Sequence, residues 1–165
     1  MQEPFLFSKS IRENIRIGDY HLDDKEIESA ARTASVHDAI LEFEKGYDTV
    51  VGERGVTLSG GQRQRIAIAR TVARDVPVLI FDDSLSAVDS ETDAQIRQAL
   101  RKRRKNTTTI IISHRITTLS EADNILVLDK GQIIESGSHE ELIAREGLYR
   151  RIWEIQSAIG ENLGE

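Results

Sequence analysis

The chain has 165 residues, 39% apolar and 30% charged, with 22 Lys and Arg against 28 Asp and Glu for a formal net charge of −6. That is one domain's length with material for one core, and the acidic balance argues against a general polyanion binder. Without a cysteine, disulfide scaffolds, thiolate zinc sites and cysteine nucleophiles are excluded, and no stretch approaches the ~18 apolar residues of a membrane helix.

The first ~75 residues read as helical from apolar spacing and caps. Ile11 and Ile15 are four apart, and Ile27, Ala30, Ala31 and Ala34 form one stripe. Ser35 and Asp38 have capping-box spacing, which predicts a helix through Ala39-Ile40-Leu41. Leu58-Ser59-Gly60-Gly61-Gln62 precedes an unbroken helical pattern from Arg63 to Ala73, with Ile66, Ala69, Val72 and Ala73 on one face. The pattern changes at Pro77. Val78-Leu79-Ile80-Phe81 reads as a strand buried on both faces that ends in Asp82-Asp83. Ser90 to Lys102 reads as a helix with Ala94, Arg97 and Leu100 close in phase, and Thr108 to Ser113 as a second buried strand. Ile125–Leu128 and Gln132–Glu135 flank Asp129-Lys130-Gly131 as a hairpin. Ser138 and Glu141 have capping-box spacing before a short helix, and Leu148, Ile152 and Ile155 mark a final one. Helices, then strand–helix–strand, then a hairpin and helices make an α/β domain with a helical half in front.

Three segments carry candidate chemistry. Ser59 is placed as an N-cap, and two glycines after it let backbone approach a ligand closely. A helix N-terminus presents unpaired N–H groups and a partial positive charge, which suit phosphate. A bare Ser-Gly-Gly would read as a plain capped helix; the five-residue segment and the long basic helix behind it favour the anion reading. Asp82 and Asp83 end a buried strand, where α/β sheets place their ligands. One acid there can hold hydrated Mg²⁺ and the next can orient a water for attack on phosphorus. Alone, the pair equally suits a strand ending in polar turn residues. His114 lies just past the second strand, at the same strand-end edge, and Ser86-Ala87-Val88-Asp89 makes a tight connection after the acids. Asp89 by default is a first-turn helix acid.

Other features read as structural. The basic run Arg101 to Lys105 ends a helix, where cations complement the dipole. Trp153 reads as packing. His21, His37 and His139 have no ligand-like spacing, and His139 follows the cap Ser138 as a first-turn surface residue.

Together these segments resemble the nucleotide-binding domain of ABC transporters. Leu58 to Gln62 matches the LSGGQ signature without a mismatch, Val78 to Asp83 the Walker B strand, Ser86 to Asp89 the D-loop, and His114 the switch histidine. Gln2 with Glu3-Pro4-Phe5-Leu6-Phe7 is similar to the Q-loop. Gly52-Glu53-Arg54-Gly55 resembles the exporter-type X-loop, and Ser10 to Ile15 is also exporter-like. The Walker A pattern G-x-x-x-x-G-K-[ST] occurs nowhere in the 165 residues. The resemblance therefore implies a P-loop NTPase-like partial domain over residues 1–165. A helical and signature part would cover about residues 8–75, and the Walker B half of the parallel sheet, with flanking helices, about 76–165.

The resemblance also implies roles. ATP and Mg²⁺ are the cofactors of the full-length parent. Asp82 serves Mg²⁺, Gln2 senses the metal and the attacking water, Asp83 is the catalytic carboxylate, and His114 hydrogen-bonds the γ-phosphate. Ser59, Gly60, Gly61 and Gln62 clamp a partner domain's nucleotide in trans, and Asp89 links the two sites. The family usually has Glu where Asp83 stands, which implies a slow, degenerate site of a heterodimer. The partners implied are a second nucleotide-binding domain and transmembrane domains, with no nucleic acid, at the cytoplasmic face of a membrane. Without Walker A the chain alone is expected to be inactive. Its sheet is expected to be exposed and prone to self-association. Two other readings stay open: a soluble ABC-type ATPase of DNA repair or translation, and a non-enzymatic interaction module.

Overall fold

The computed structural model describes residues 5–52, 56–82, 90–103 and 107–162, which divide into two compact units, Met1–Ile110 and Ile111–Glu165. The first holds α1 (Ile11–Arg16), α2 (Asp24–Thr33), α3 (His37–Leu41), α4 (Gly60–Ala73), β1 (Val78–Asp82), α5 (Ser90–Arg103) and the start of β2 (Thr108–Ile112). The second holds α6 (Ile116–Leu119), the strands β3 (Ile125–Asp129) and β4 (Gln132–Gly137), α7 (His139–Ile143) and α8 (Leu148–Asn162). No described helix is long and apolar enough to cross a membrane.

In the first unit α4 packs against both α1 and α2. The two expected stripes supply the core, with Ile11, Ile15, Ile27, Ala30, Ala31 and Ala34 fully buried against Ile66, Ala69 and Val72. Each fully buried Ile contributes roughly 1.5–3 kcal/mol, so α4 is the central support of this unit.

The α2–α3 junction departs from expectation. Ser35 caps nothing: α3 begins after Val36, with no side-chain cap bond. Ser35 instead takes φ +51° and closes α2, with its N–H on Arg32 O and the Val36 N–H on Ala31 O. That is the Schellman ending, usually made by glycine at the left-handed position. A serine there looks like a cap for the next helix when only spacing is read.

The strands also differ. β1 alternates: Leu79 and Phe81 are buried, while Val78 and Ile80 are 48% and 58% exposed. In β2, Ile110 and Ile112 are likewise exposed. β1 and β2 form a two-stranded sheet, and residues meant for two covered faces are here covered on one. The buried stripe of α5 runs through Asp93, Ile96, Arg97 and Leu100 rather than through Ala94, which is exposed.

The second unit is built on the expected hairpin. β3 and β4 pair antiparallel, with Asp129 opposite Gln132 and a bulge after Val127. Lys130 and Gly131 both take positive φ, +48° and +78°, the two-residue turn whose twist matches that of the strands. Ile116, Ile125, Leu142 and Tyr149 form the core, with Ile152 and Trp153 packed against it. On α8 the packed stripe is thus Tyr149, Ile152 and Trp153, whereas Leu148 and Ile155 face outward. Trp153 is packing, as its position suggested. His139 is half-buried rather than a surface residue: its Nδ1 lies 2.9 Å from the Tyr149 hydroxyl.

Candidate functional site

The end of α4 is formed as the sequence implies. Ser59 is the N-cap; its Oγ accepts from the Gln62 N–H at 3.2 Å, while Gln62 Oε1 accepts from the Ser59 N–H at 2.9 Å. Gly60 and Gly61 are the first two residues of the helix, not a turn before it. Arg63 folds back to donate from Nη1 to the Leu58 carbonyl at 2.8 Å. The cap is therefore braced from both sides, with Leu58 buried beneath it.

What this end leaves open is specific. Among the described residues the Gly60 and Gly61 N–H groups take no acceptor, as expected for a first helical turn. A Cβ built on Gly60 meets nothing within 4 Å, so the chain's own packing does not demand glycine there. The missing side chain keeps the space above the N–H groups clear. The Ser59 hydroxyl accepts inside the cap, so its own proton points to no described partner and remains available as a donor. The first turn carries no acid. These features fit an incoming phosphate oxygen.

A second cluster lies behind this helix. Asn14 is fully buried on α1. Its Oδ1 accepts from the Phe7 N–H at 2.9 Å and from Arg70 Nη2 at 2.8 Å, and its Nδ2 donates to the carbonyls of Phe7 and Ser10, both at 3.0 Å. Arg70 on α4 also donates from Nε to the Asn14 carbonyl at 2.8 Å and from Nη1 to the Phe5 carbonyl at 3.1 Å, with its guanidinium over the Phe7 ring. Burial draws the Arg70 pKa below its ordinary value. Segment 5–9, which follows Gln2, is thus tied directly to the helix that carries Ser59. Sequence reading missed this tie; the available signal was a basic residue, Arg70, set among the buried positions Ala69, Val72 and Ala73 of α4.

The remaining candidates are divided. Asp82 ends β1 in the first unit and is exposed. His114 lies after β2 in the second unit, exposed, with its backbone carbonyl held by Gln156 on α8. Gln2, Asp83 and Asp89 lie outside the described residues. The described residues contain no cluster of three His, Asp or Glu able to hold a metal. A Mg²⁺ held by one carboxylate, waters and substrate phosphates needs no such cluster, so Asp82 fits that role.

A family model described as ABC transporter matches residues 1–86. An uncharacterized ABC transporter ATP-binding protein of Sinorhizobium fredii is 50% identical over 155 residues, 94% of this chain and 26% of that protein. The ATP-dependent lipid A-core flippase of Syntrophus aciditrophicus is 44% identical over 166 residues, 99% of this chain and 28% of that one. Among solved structures, a bacterial Atm1-family ABC exporter with ATP bound aligns with a TM-score of 0.87 and 43% identity, over 94% of this chain and 27% of that one. The chain spans about a quarter of the length of these relatives.

Proposed function

The chain belongs to the ABC transporter family, and from that premise we propose that it supplies the signature, Walker B and switch-histidine elements of an ATP-hydrolysing exporter subunit. Its fold is that of a partial P-loop ABC ATPase domain. The observation that carries the reading is the bare, acid-free start of α4. The Gly60 and Gly61 N–H groups and the Ser59 hydroxyl are three donors at the start of one helix, with open space where a Gly60 side chain would stand. In the proposed assembly they receive the γ-phosphate of ATP held by a second nucleotide-binding domain. Donors fixed before the reaction stabilise charge that grows on the transferring phosphoryl oxygens. The partner copy thus completes this site, and this chain completes the partner's.

The chain's own half-site uses different residues. Asp82 would hold Mg²⁺, and Gln2 would sense the metal and the attacking water. Asp83 orients the attacking water and takes up its proton, His114 donates to the γ-phosphate, and Asp89 connects the two sites. Bound there, magnesium would neutralise the charge that develops on the phosphate oxygens. Asp83 is one methylene shorter than Glu, which sets its oxygen back from the water; shifts of about 1 Å can cost about 10²-fold in rate. The proposal is therefore a slow, degenerate site in a heterodimer whose second site is completed by Ser59–Gln62. The assembly sits at the cytoplasmic face of a membrane, joined to transmembrane domains and exporting a lipid-like or multidrug substrate. The relatives named for lipid A-core flipping and for export favour this over a soluble ATPase.

The test is site-resolved ATP turnover in the complete subunit with its partner. Asp83→Glu is expected to raise hydrolysis at this site by about tenfold or more, and unchanged turnover overturns the degenerate-site reading. The chain alone, lacking G-x-x-x-x-G-K-[ST], is expected to give no saturable heat with Mg-ATP up to millimolar concentration. Micromolar binding would mean that other residues replace the phosphate cradle.

A further inference from the structure

We propose that Gln156 is a positioning residue that sets the backbone of His114 from the C-terminal helix. The proposal rests on the reading above, which gives His114 its ligand.

Gln156 lies on α8 seven residues after Tyr149 and three after Trp153, on the stripe that packs into the second unit's core. An apolar side chain would suit that stripe. The amide found there is bonded at both its nitrogen and its oxygen. Its Nε2 donates to the His114 carbonyl at 2.7 Å, and its Oε1 accepts from the Ile116 N–H at 2.9 Å. One partner is an acceptor and the other a donor, so the amide has a single productive orientation.

The bridge replaces something the local sequence lacks. α6 has four residues, and its N-cap, Arg115, makes no side-chain cap bond. The N–H of Ile116, the first residue of that helix, would otherwise be an unsatisfied helix-end donor. Gln156 caps α6 from another helix, and in the same stroke fixes the carbonyl of the residue that carries the imidazole. Ser113 Oγ accepts from the Arg115 N–H at 3.0 Å and completes the set. The turn 113–116 is thereby pinned on both sides of His114. Because α8 is seated through Tyr149, Ile152 and Trp153, the position of His114 follows the docking of α8 as well as the end of β2.

The experiment compares His114→Ala, Gln156→Leu, Gln156→Glu and the double variant His114→Ala/Gln156→Leu in the complete subunit with its partner, reading kcat and KM for ATP. Gln156→Leu keeps the volume and removes both bonds. Gln156→Glu keeps the acceptor for Ile116 but sets a carboxylate oxygen against the His114 carbonyl. Each is expected to lower kcat about tenfold, as a displaced reacting group does, with KM nearly unchanged. In the double variant the Gln156 change is expected to add nothing to the His114 loss. Full kcat in both Gln156 variants alongside a loss in His114→Ala overturns the positioning role alone, as do losses that multiply. A silent His114→Ala overturns the role of His114, and this inference with it. Should Gln156→Leu fail to fold, Gln156→Glu carries the comparison. In the chain as it stands, Gln156→Leu is expected to abolish hydrogen-exchange protection at the Ile116 amide while the β3–β4 ladder stays protected. Unchanged protection at Ile116 overturns the bridge itself.

Discussion

The first turns of α4 and α7 are built alike, but α4's is uncharged and α7's is acidic. At each, a serine hydroxyl accepts from the backbone three residues on, at 3.2 Å for Ser59 and 3.3 Å for Ser138. At each, the residue in that third position reaches back to the serine N–H, at 2.9 Å from Gln62 and 3.0 Å from Glu141. The charges then diverge. α7 places Glu140 and Glu141 in its first turn, and the Ser138 hydroxyl gives its proton to Glu140 at 2.9 Å. The helix dipole there is answered from within the chain. α1 and α2 do the same with Glu13 and Glu26. Only α4, among the four described capping boxes, uses a neutral glutamine. Cap geometry therefore marks a helix start, while the charge of the third residue separates a finished end from a receptive one.

The largest effect should come from erasing that difference. Gln62→Glu keeps the capping box and adds a favourable charge–dipole contact of about 0.3–1 kcal/mol, so the thermal midpoint should hold or rise. Hydrolysis at the partner's site should nevertheless fall by about 10²-fold or more, as when a preorganised donor site is spoiled. Stability and turnover moving in the same direction would break the comparison. Next, Ser59→Ala and Ser138→Ala should each cost ~1 kcal/mol in denaturant unfolding, but only Ser59→Ala should also impair turnover.

The smallest effect is in pH. Glu140 is held below its ordinary value chiefly by its own backbone N–H and then by the Ser138 hydroxyl, and Glu13 chiefly by the Ser10 N–H. A carboxylate depressed in the folded state stabilises it above the unfolded value, and that contribution is lost as pH falls through the folded one. Amide protection in the first turns of α1 and α7 should therefore weaken on acidification below about pH 4–5. The turn at Gln62 should not respond, and equal weakening at all three would remove the distinction.

What could be read from residue order follows from these contrasts. The Ser59 and Ser138 caps are local, made by residues three apart, so spacing alone finds them. Spacing also misplaced Ser35, because a helix-closing role depends on a left-handed backbone that no serine advertises. The burial of Val78, Ile80, Ile110 and Ile112 depends on what covers the sheet, which strand composition does not state. The two polar ties were illegible for another reason. Arg70 meets Asn14 across 56 residues and Gln156 meets His114 across 42, and each lands at least partly on backbone groups, which leave no pattern in side-chain type.

That choice of acceptor has a consequence at Asn14. The tie gathers the carbonyls of Phe5, Phe7 and Ser10, along with the Phe7 N–H, and apart from the ring stacked under Arg70 it asks nothing of the side chains in segment 5–9. Shape there is inherited from two residues outside the segment. The outward-facing surface of Phe5 to Lys9 can therefore change its chemistry from one lineage to the next without redrawing its path. It is a template with a fixed outline and replaceable lettering.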